Sequence, residues 1–403
     1  MKRRPVASAL SVLAFALAGG GVLSVSAWPT AVEAKAQAPE ATAVDAVVKH
    51  YAALVHANYE DSVTSAKTMQ KAIEAFLAKP SEKAFLEARK QWLAAREIYG
   101  QTEAFRFYGG PIDGEDGPEG QINAWPLDEA YIDYVDGDET AGLINDANVP
   151  MTVEQLAEMN ERGGEENIST GWHAIEFMLW GQDFNDNGTG NRAHTDFVDG
   201  ERPNADRRRQ YLKLVTQLLI DDLQSLVDAW APGKADNYRA GFEKGGLESV
   251  RKIIVGVGSL SRGELAGERI EVAMNTQDQE DEHSCFSDNT HRDAVTNAQG
   301  IQNVWLGTYQ RLDGSKMVGA SLEALVATKN PVLAKKTTKQ IAESLAAAEA
   351  IQTPFDREIL GDASALGRKR LQRTVDSLTA QSKDLVEAAG AIGITKLTLT
   401  EPE

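Results

Sequence analysis

Cysteine is nearly absent from this chain: Cys285 is the only one in 403 residues. A lone thiol closes no internal disulfide, so the fold must be held by its hydrophobic core. Past about residue 27 no apolar run approaches the length that crosses a bilayer, which excludes a polytopic helical membrane protein. Positive charge is in short supply, with 41 Lys and Arg against 60 Asp and Glu, a formal net charge of −19. That balance repels nucleic acid and anionic lipid, so no nucleic-acid partner is expected; it suits cation capture or plain solubility. Strand-like alternation is almost missing. So are several catalytic signatures: there is no HExxH zinc-protease helix and no GxSxG nucleophile elbow. Gly256-Val257-Gly258-Ser259 follows no strand and is not a dinucleotide loop.

What is present begins with a leader. Lys2, Arg3 and Arg4 precede an uncharged apolar run from about Val6 to Ala27, followed by small-residue sites at Val32-Glu33-Ala34 and Ala34-Lys35-Ala36. Charged start, apolar middle and small-residue exit predict a secretory signal peptide over residues 1–36, cleaved near Ala34 or Ala36. The mature protein is then exported and soluble in the cell envelope. Loss of the leader takes the net charge to −22.

Helical periodicity dominates the rest and predicts an all-α fold. Phe85, Ala88, Trp92, Ala95, Tyr99 and Thr102 recur at spacings of three and four, one buried face of a helix opened by Ser81 and reaching to about Phe107. A preceding helix covers 43–78, closed by Pro80. Leu212, Leu219 and Leu226 fall a heptad apart in a helix over 206–230, and further helices are expected at 246–276, 289–307, 332–352 and 363–390. Long antiparallel helices with apolar stripes build helical bundles. An internal echo, Gly171–Gly181 laid on Asn297–Gly307, points to two bundle domains related by duplication, 37–235 and 236–403, dividing between about 231 and 245. In that alignment His173 and Glu176 face Gln299 and Gln302, so only the first copy carries ionisable groups. Between the helices lies a link, 107–161, with fourteen acids and no Lys or Arg. Links of this length are functional or disordered.

His173 and Glu176 lead the candidate chemistry. Three residues apart, they share one helical face, and imidazole with carboxylate suits iron or zinc. Trp172, Ile175, Phe177, Met178, Leu179 and Trp180 surround them, and an ionised Glu176 in that setting requires a metal or a basic partner such as Arg96 or Arg106. Glu103 is the expected third metal ligand, or else the partner of Arg106 one turn on. A second cluster, Asp278 to His291, holds His283, Cys285, Asp288 and His291; Asp288 is expected to cap the following helix, and Cys285 to be buried or, with a base beside it, a nucleophile. A third, Asp183 to His194, resembles a calcium loop but ends on His194 where a bidentate Glu belongs, so a Gly- and Asn-rich turn is expected.

These residues carry a resemblance. Ala88–Arg96, Thr102–Phe107, Gly110–Asp113, Asn123–Glu129, the Gly171-Trp-His-Ala-Ile-Glu176 stretch, Gly181–Asp183 and His283–His291 together are similar to the imelysin-like family and, within it, to the iron-regulated protein A group. The resemblance implies two helical-bundle domains, a place in the periplasm or at the outer membrane, and a GxHxxE motif falling on His173 and Glu176, with Glu103 and Asp113 at other motif positions. It implies either a metal-binding protein of iron acquisition, acting with an envelope iron-transport component, or a metal-dependent peptidase. A third expectation is an envelope protein that binds a partner or polymer and uses its metal structurally.

Overall fold

The computed structural model describes residues 39–400. The leader expected over 1–36 lies outside them. The fold is all-α but for one short hairpin, Thr308–Gln310 paired antiparallel with Lys316–Val318. Ala41–Ala78 packs along Glu82–Tyr99 and along Ala205–Ala229, and Gly171–Trp180 lies on both of the latter. A second group joins Leu247–Ser259, Thr290–Leu306, Pro331–Glu349 and Leu366–Ala391. One continuous apolar core runs from Val44 to Ile394 and crosses the 231–245 segment without a break. Among the described residues no helix is long and apolar enough to cross a membrane.

Two departures from simple periodicity shape the centre. The helix opened by Ser81, whose side chain accepts from the Ala84 N–H, ends at Tyr99 rather than near Phe107 and tightens into a 3₁₀ turn, Gly100–Phe105. The cause is a close crossing: a Cβ on Gly100 would stand 2.1 Å from Thr296 Oγ1, so the turn sits flush on Thr290–Leu306 only because that position is glycine. Further on, Leu247–Ser259 continues into a π-wound stretch, Leu260–Glu271. Wide winding of this kind re-aims side chains and is frequent at functional sites; here it carries Glu264 and Arg269.

The acidic link is ordered. Short helices at Glu119–Ile122, Glu129–Ile132 and Val153–Met159 bury Ile122, Ile132 and Leu156. It also meets the start of the Gly171–Trp180 helix, all ten residues of which are buried. Gly171 has φ +86°, and a Cβ there would lie 2.5 Å from the Ile122 carbonyl oxygen. Gly171→Ala therefore combines left-handed strain of about 1–2 kcal/mol with a backbone clash. Denaturant unfolding is expected to show at least that loss; unchanged stability would mean that the close approach does not constrain this helix.

Candidate functional site

The Gly171–Trp180 helix delivers His173 and Glu176 to one spot. His173 Nδ1 lies 2.9 Å from Glu176 Oε2. The other carboxyl oxygen accepts from the Ser287 N–H at 3.0 Å and from its hydroxyl at 2.6 Å. Burial pushes Glu176 up to about 8, against the pull of the Ser287 bonds. Burial, then the charges of His283 and Arg96, hold His173 well below its ordinary value, so the imidazole is neutral. The remaining ring nitrogen, His173 Nε2, is buried and meets no hydrogen-bond partner. Only when Glu176 is ionised does Nδ1–H donate to its Oε2 and Nε2 present a lone pair. A carboxylate behind an imidazole is the arrangement that orients a metal-binding histidine and raises its basicity.

His283 repeats the pattern from the other side. Its ring stands edge-on to His173, centroids 4.7 Å apart, and Trp125 packs against it. His283 Nδ1 lies 2.8 Å from Asp293 Oδ2, which also accepts from the Ser284 hydroxyl. Arg96 donates to Asp293 Oδ1 at 3.0 Å and to Asn123 Oδ1 at 2.6 Å. Burial would raise the Asp293 carboxyl, but Arg96 and His283 outweigh it and hold it well below the usual carboxylate range. Burial and the charge of Arg269 bring His283 down to about 4. Two neutral imidazoles, each backed by a carboxyl group, thus face one another in the interior.

Glu103 sits one step away, linked through Asn123 to Arg96, and is committed elsewhere. Its Oε2 accepts from Arg106 at 2.6 Å and from Arg269 at 2.8 Å. Burial opposes ionisation, yet Arg106 and Arg269 bring it down to about 2. Arg106 also pairs with Glu119, and Arg269 with Glu264 and Asn297. A carboxylate whose oxygen already faces two guanidinium groups makes a poor metal ligand.

The remaining sequence candidates have local work. Asp113 accepts the Tyr108 and Gly110 N–H groups and folds its own loop. Cys285 is buried, and burial followed by the nearby Glu176 pushes its thiol well up, which keeps the reactive thiolate from forming. His291 lies in the first turn of Thr290–Leu306, its Nδ1 3.0 Å from the Asp288 carbonyl oxygen. Asp288 does not cap that helix: the cap position is Asn289, and Asp288, at φ +53°, directs its carboxyl toward Glu282 and Asp356. Asp183 opens a turn in which its Oδ1 accepts the Asn185 N–H. Ser287, Asp293 and Arg269 are the contributors that sequence reasoning missed. Ser287 and Asp293 stand inside or just beyond the His283–His291 cluster, but no spacing rule pairs a residue with another more than a hundred positions away.

The imelysin family model matches residues 55–385. The iron-regulated protein A of Synechococcus elongatus is 28% identical over 342 residues, spanning 81% of this chain and 80% of the relative. Among solved structures, a Parabacteroides distasonis protein assigned as an iron-regulated protein A precursor superposes with a TM-score of 0.67 at 20% identity, covering 88% of this chain and 96% of its own. An imelysin-like protein of Psychrobacter arcticum gives 0.64 at 15% identity, covering 89% and 98%. At these identities the two structures establish the likeness of fold.

Proposed function

The chain belongs to the imelysin family, and from that premise we propose that it is an exported, iron-handling protein of the cell envelope that captures a divalent metal ion, iron(II) or zinc, between His173 and His283. The observation that carries this reading is the buried, unpartnered Nε2 of His173 beside a second neutral imidazole. Imidazole donors with a carboxylate suit iron and zinc. Glu176 holds His173 from behind, and when ionised it balances the charge of a bound cation; Asp293 does the same for His283. Glu103, occupied by Arg106 and Arg269, sets the field around the pair rather than binding the ion. Iron is favoured by the names of the relatives, and export by the leader pattern of residues 1–36. Iron acquisition with an envelope transport component is the setting this implies.

The family also carries a peptidase reading. A metallopeptidase needs an open coordination position reached by a polypeptide. His173 and Glu176 are 1% and 0% exposed, an enclosure that suits an ion and not a peptide strand. The test titrates the mature chain, His173→Ala and Glu176→Gln with iron(II), under anaerobic conditions, and with zinc by calorimetry. Each variant is expected to lose at least about tenfold in affinity, the usual penalty for disturbing a ligand or its supporting carboxylate. A parent that binds neither metal, or variants that bind like the parent, ends this reading. Peptide cleavage that is abolished by chelator and by both substitutions would replace it with the enzyme.

A further inference from the structure

A second group of acids, one of them the chain neighbour of His283, has no use in that reading. Glu282, Asp288 and Asp356 come from two segments distant in sequence, and one carboxylate oxygen from each lies within 4.8 Å of the others. All three side chains are buried. Among the described residues none forms an ion pair with Lys, Arg or His. Burial acts first on Glu282, then the charges of Asp356 and Asp288, a hydrogen bond shared with Asp356, and the charge of Asp183, so every group acting on it is an acid.

Glu282 supplies the independent observation. It is fully buried, and neither of its carboxylate oxygens meets a donor outside the acid cluster. Asp288 Oδ1, Asp356 Oδ2 and Asp183 Oδ2 are buried and unpartnered in the same way. Buried polar atoms are nearly always satisfied, and several at one point call for a shared partner. The surrounding loops are tied to one another: the Gln279 amide donates to the Asp183 carbonyl, and the Arg357 guanidinium to Asn187. A surface cavity of about 420 Å³, lined by Asp186, Gln279, Glu280 and Asp356, reaches the cluster at Asp356.

We propose that Glu282, Asp288 and Asp356, with Asp183 at their edge, form a calcium site that fastens together the loops around residues 183, 282 and 356. The donors are oxygens only, which selects a hard cation over iron or zinc. Carboxylate oxygens that all lie within 4.8 Å of one another can surround one ion with bonds of about 2.3–2.6 Å, the calcium range, and three carboxylates held by separate loops suit calcium's flexible coordination better than magnesium's near-ideal octahedron. One divalent cation would offset two of the three carboxylate charges and give Glu282, Asp288 and Asp356 a common partner. Glu282 directly precedes His283 in the chain, but none of the three acids hydrogen-bonds to either histidine, so the calcium response and the histidine-site titration are read as separate measurements.

The test uses the whole mature chain, stripped with chelator and followed by thermal unfolding and by terbium luminescence. Calcium is expected to raise the unfolding temperature by several degrees, because a ligand held only by the folded state stabilises it. Terbium should be sensitised and then displaced by calcium. Glu282→Gln and Asp356→Asn are expected to abolish both responses while leaving the calcium-free protein at least as stable as the parent, since each removes a like charge; this separates a lost site from a damaged fold. His173→Ala should keep the full calcium response. Absence of both responses in the parent overturns the proposal, as does their survival in both amide variants. An equal rise with magnesium overturns the assignment to calcium.

Discussion

Asp133→Ala is expected to destabilise the protein by about 3–5 kcal/mol, the usual consequence of removing one partner from a buried ion pair. Asp133 is fully buried in the acidic link. Its Oδ2 accepts from Arg192 at 2.6 Å and from Arg208 at 2.7 Å, and its Oδ1 from Arg208 at 2.8 Å and Asn145 at 3.2 Å. Without the carboxylate, two buried guanidinium groups lose the charge that justifies their place in the interior. Arg208 belongs to Ala205–Ala229, so this one residue pins the link to the first helical group. Burial opposes ionisation of Asp133, but Arg192 and Arg208 outweigh it and bring the carboxyl down to about 2. A carboxyl depressed below its unfolded value of about 3.9 contributes stability above that pH and loses it as pH falls toward 2. The gap between parent and variant in guanidinium unfolding should therefore be widest at neutral pH and close between about pH 4 and pH 2. A loss under about 1 kcal/mol at pH 7, or a gap that ignores pH, would show that the charge is not what holds the link.

The helices were largely legible because they are amphipathic over many turns. The expected 43–78 and 206–230 stretches correspond to Ala41–Ala78 and Ala205–Ala229. The places where expectation slipped are places where tertiary contact overrides local pattern. The Ser81 helix stops at Tyr99 because another helix needs Gly100 at close range. The π-wound Leu260–Glu271 stretch carries Arg269, which reaches Glu103, 166 positions away. At the site, the proximity of His173 and Glu176 followed from helix geometry alone. The meeting of His173 with His283, and of Glu176 with Ser287, did not, because long-range closure leaves no periodic trace. The acid-rich link read as functional or disordered from charge alone; its order comes from burying Asp133 among arginines that lie far along the chain.

Arg96→Met should cost about 3–5 kcal/mol as well, and in addition alter the proposed metal site. Arg96 is 1% exposed and stacked among Trp92, Tyr99 and Trp172, ring centroids 5.4–5.7 Å from its guanidinium. Its partner Asp293, also buried, would be left with His283 and the Ser284 hydroxyl. His283 is kept neutral first by burial and then by the positive charges of Arg269 and Arg96, set against the pull of Asp293. Deleting the Arg96 charge tips that balance, and His283 should take up a proton at higher pH than in the parent. A protonated imidazole has no lone pair to give, so metal affinity in Arg96→Met should fall off at higher pH than in the parent. Adding Asp293→Asn removes the stranded carboxylate and should return part of the lost stability, a coupling of about 0.5–3 kcal/mol in the double-mutant cycle. The histidine resonances, followed by NMR titration, check the protonation; guanidinium unfolding of the four proteins checks the coupling. Additive losses in the cycle, with an unmoved His283 titration, would mean that Arg96 serves only as packing and that the field around the two histidines is set by Arg269 alone.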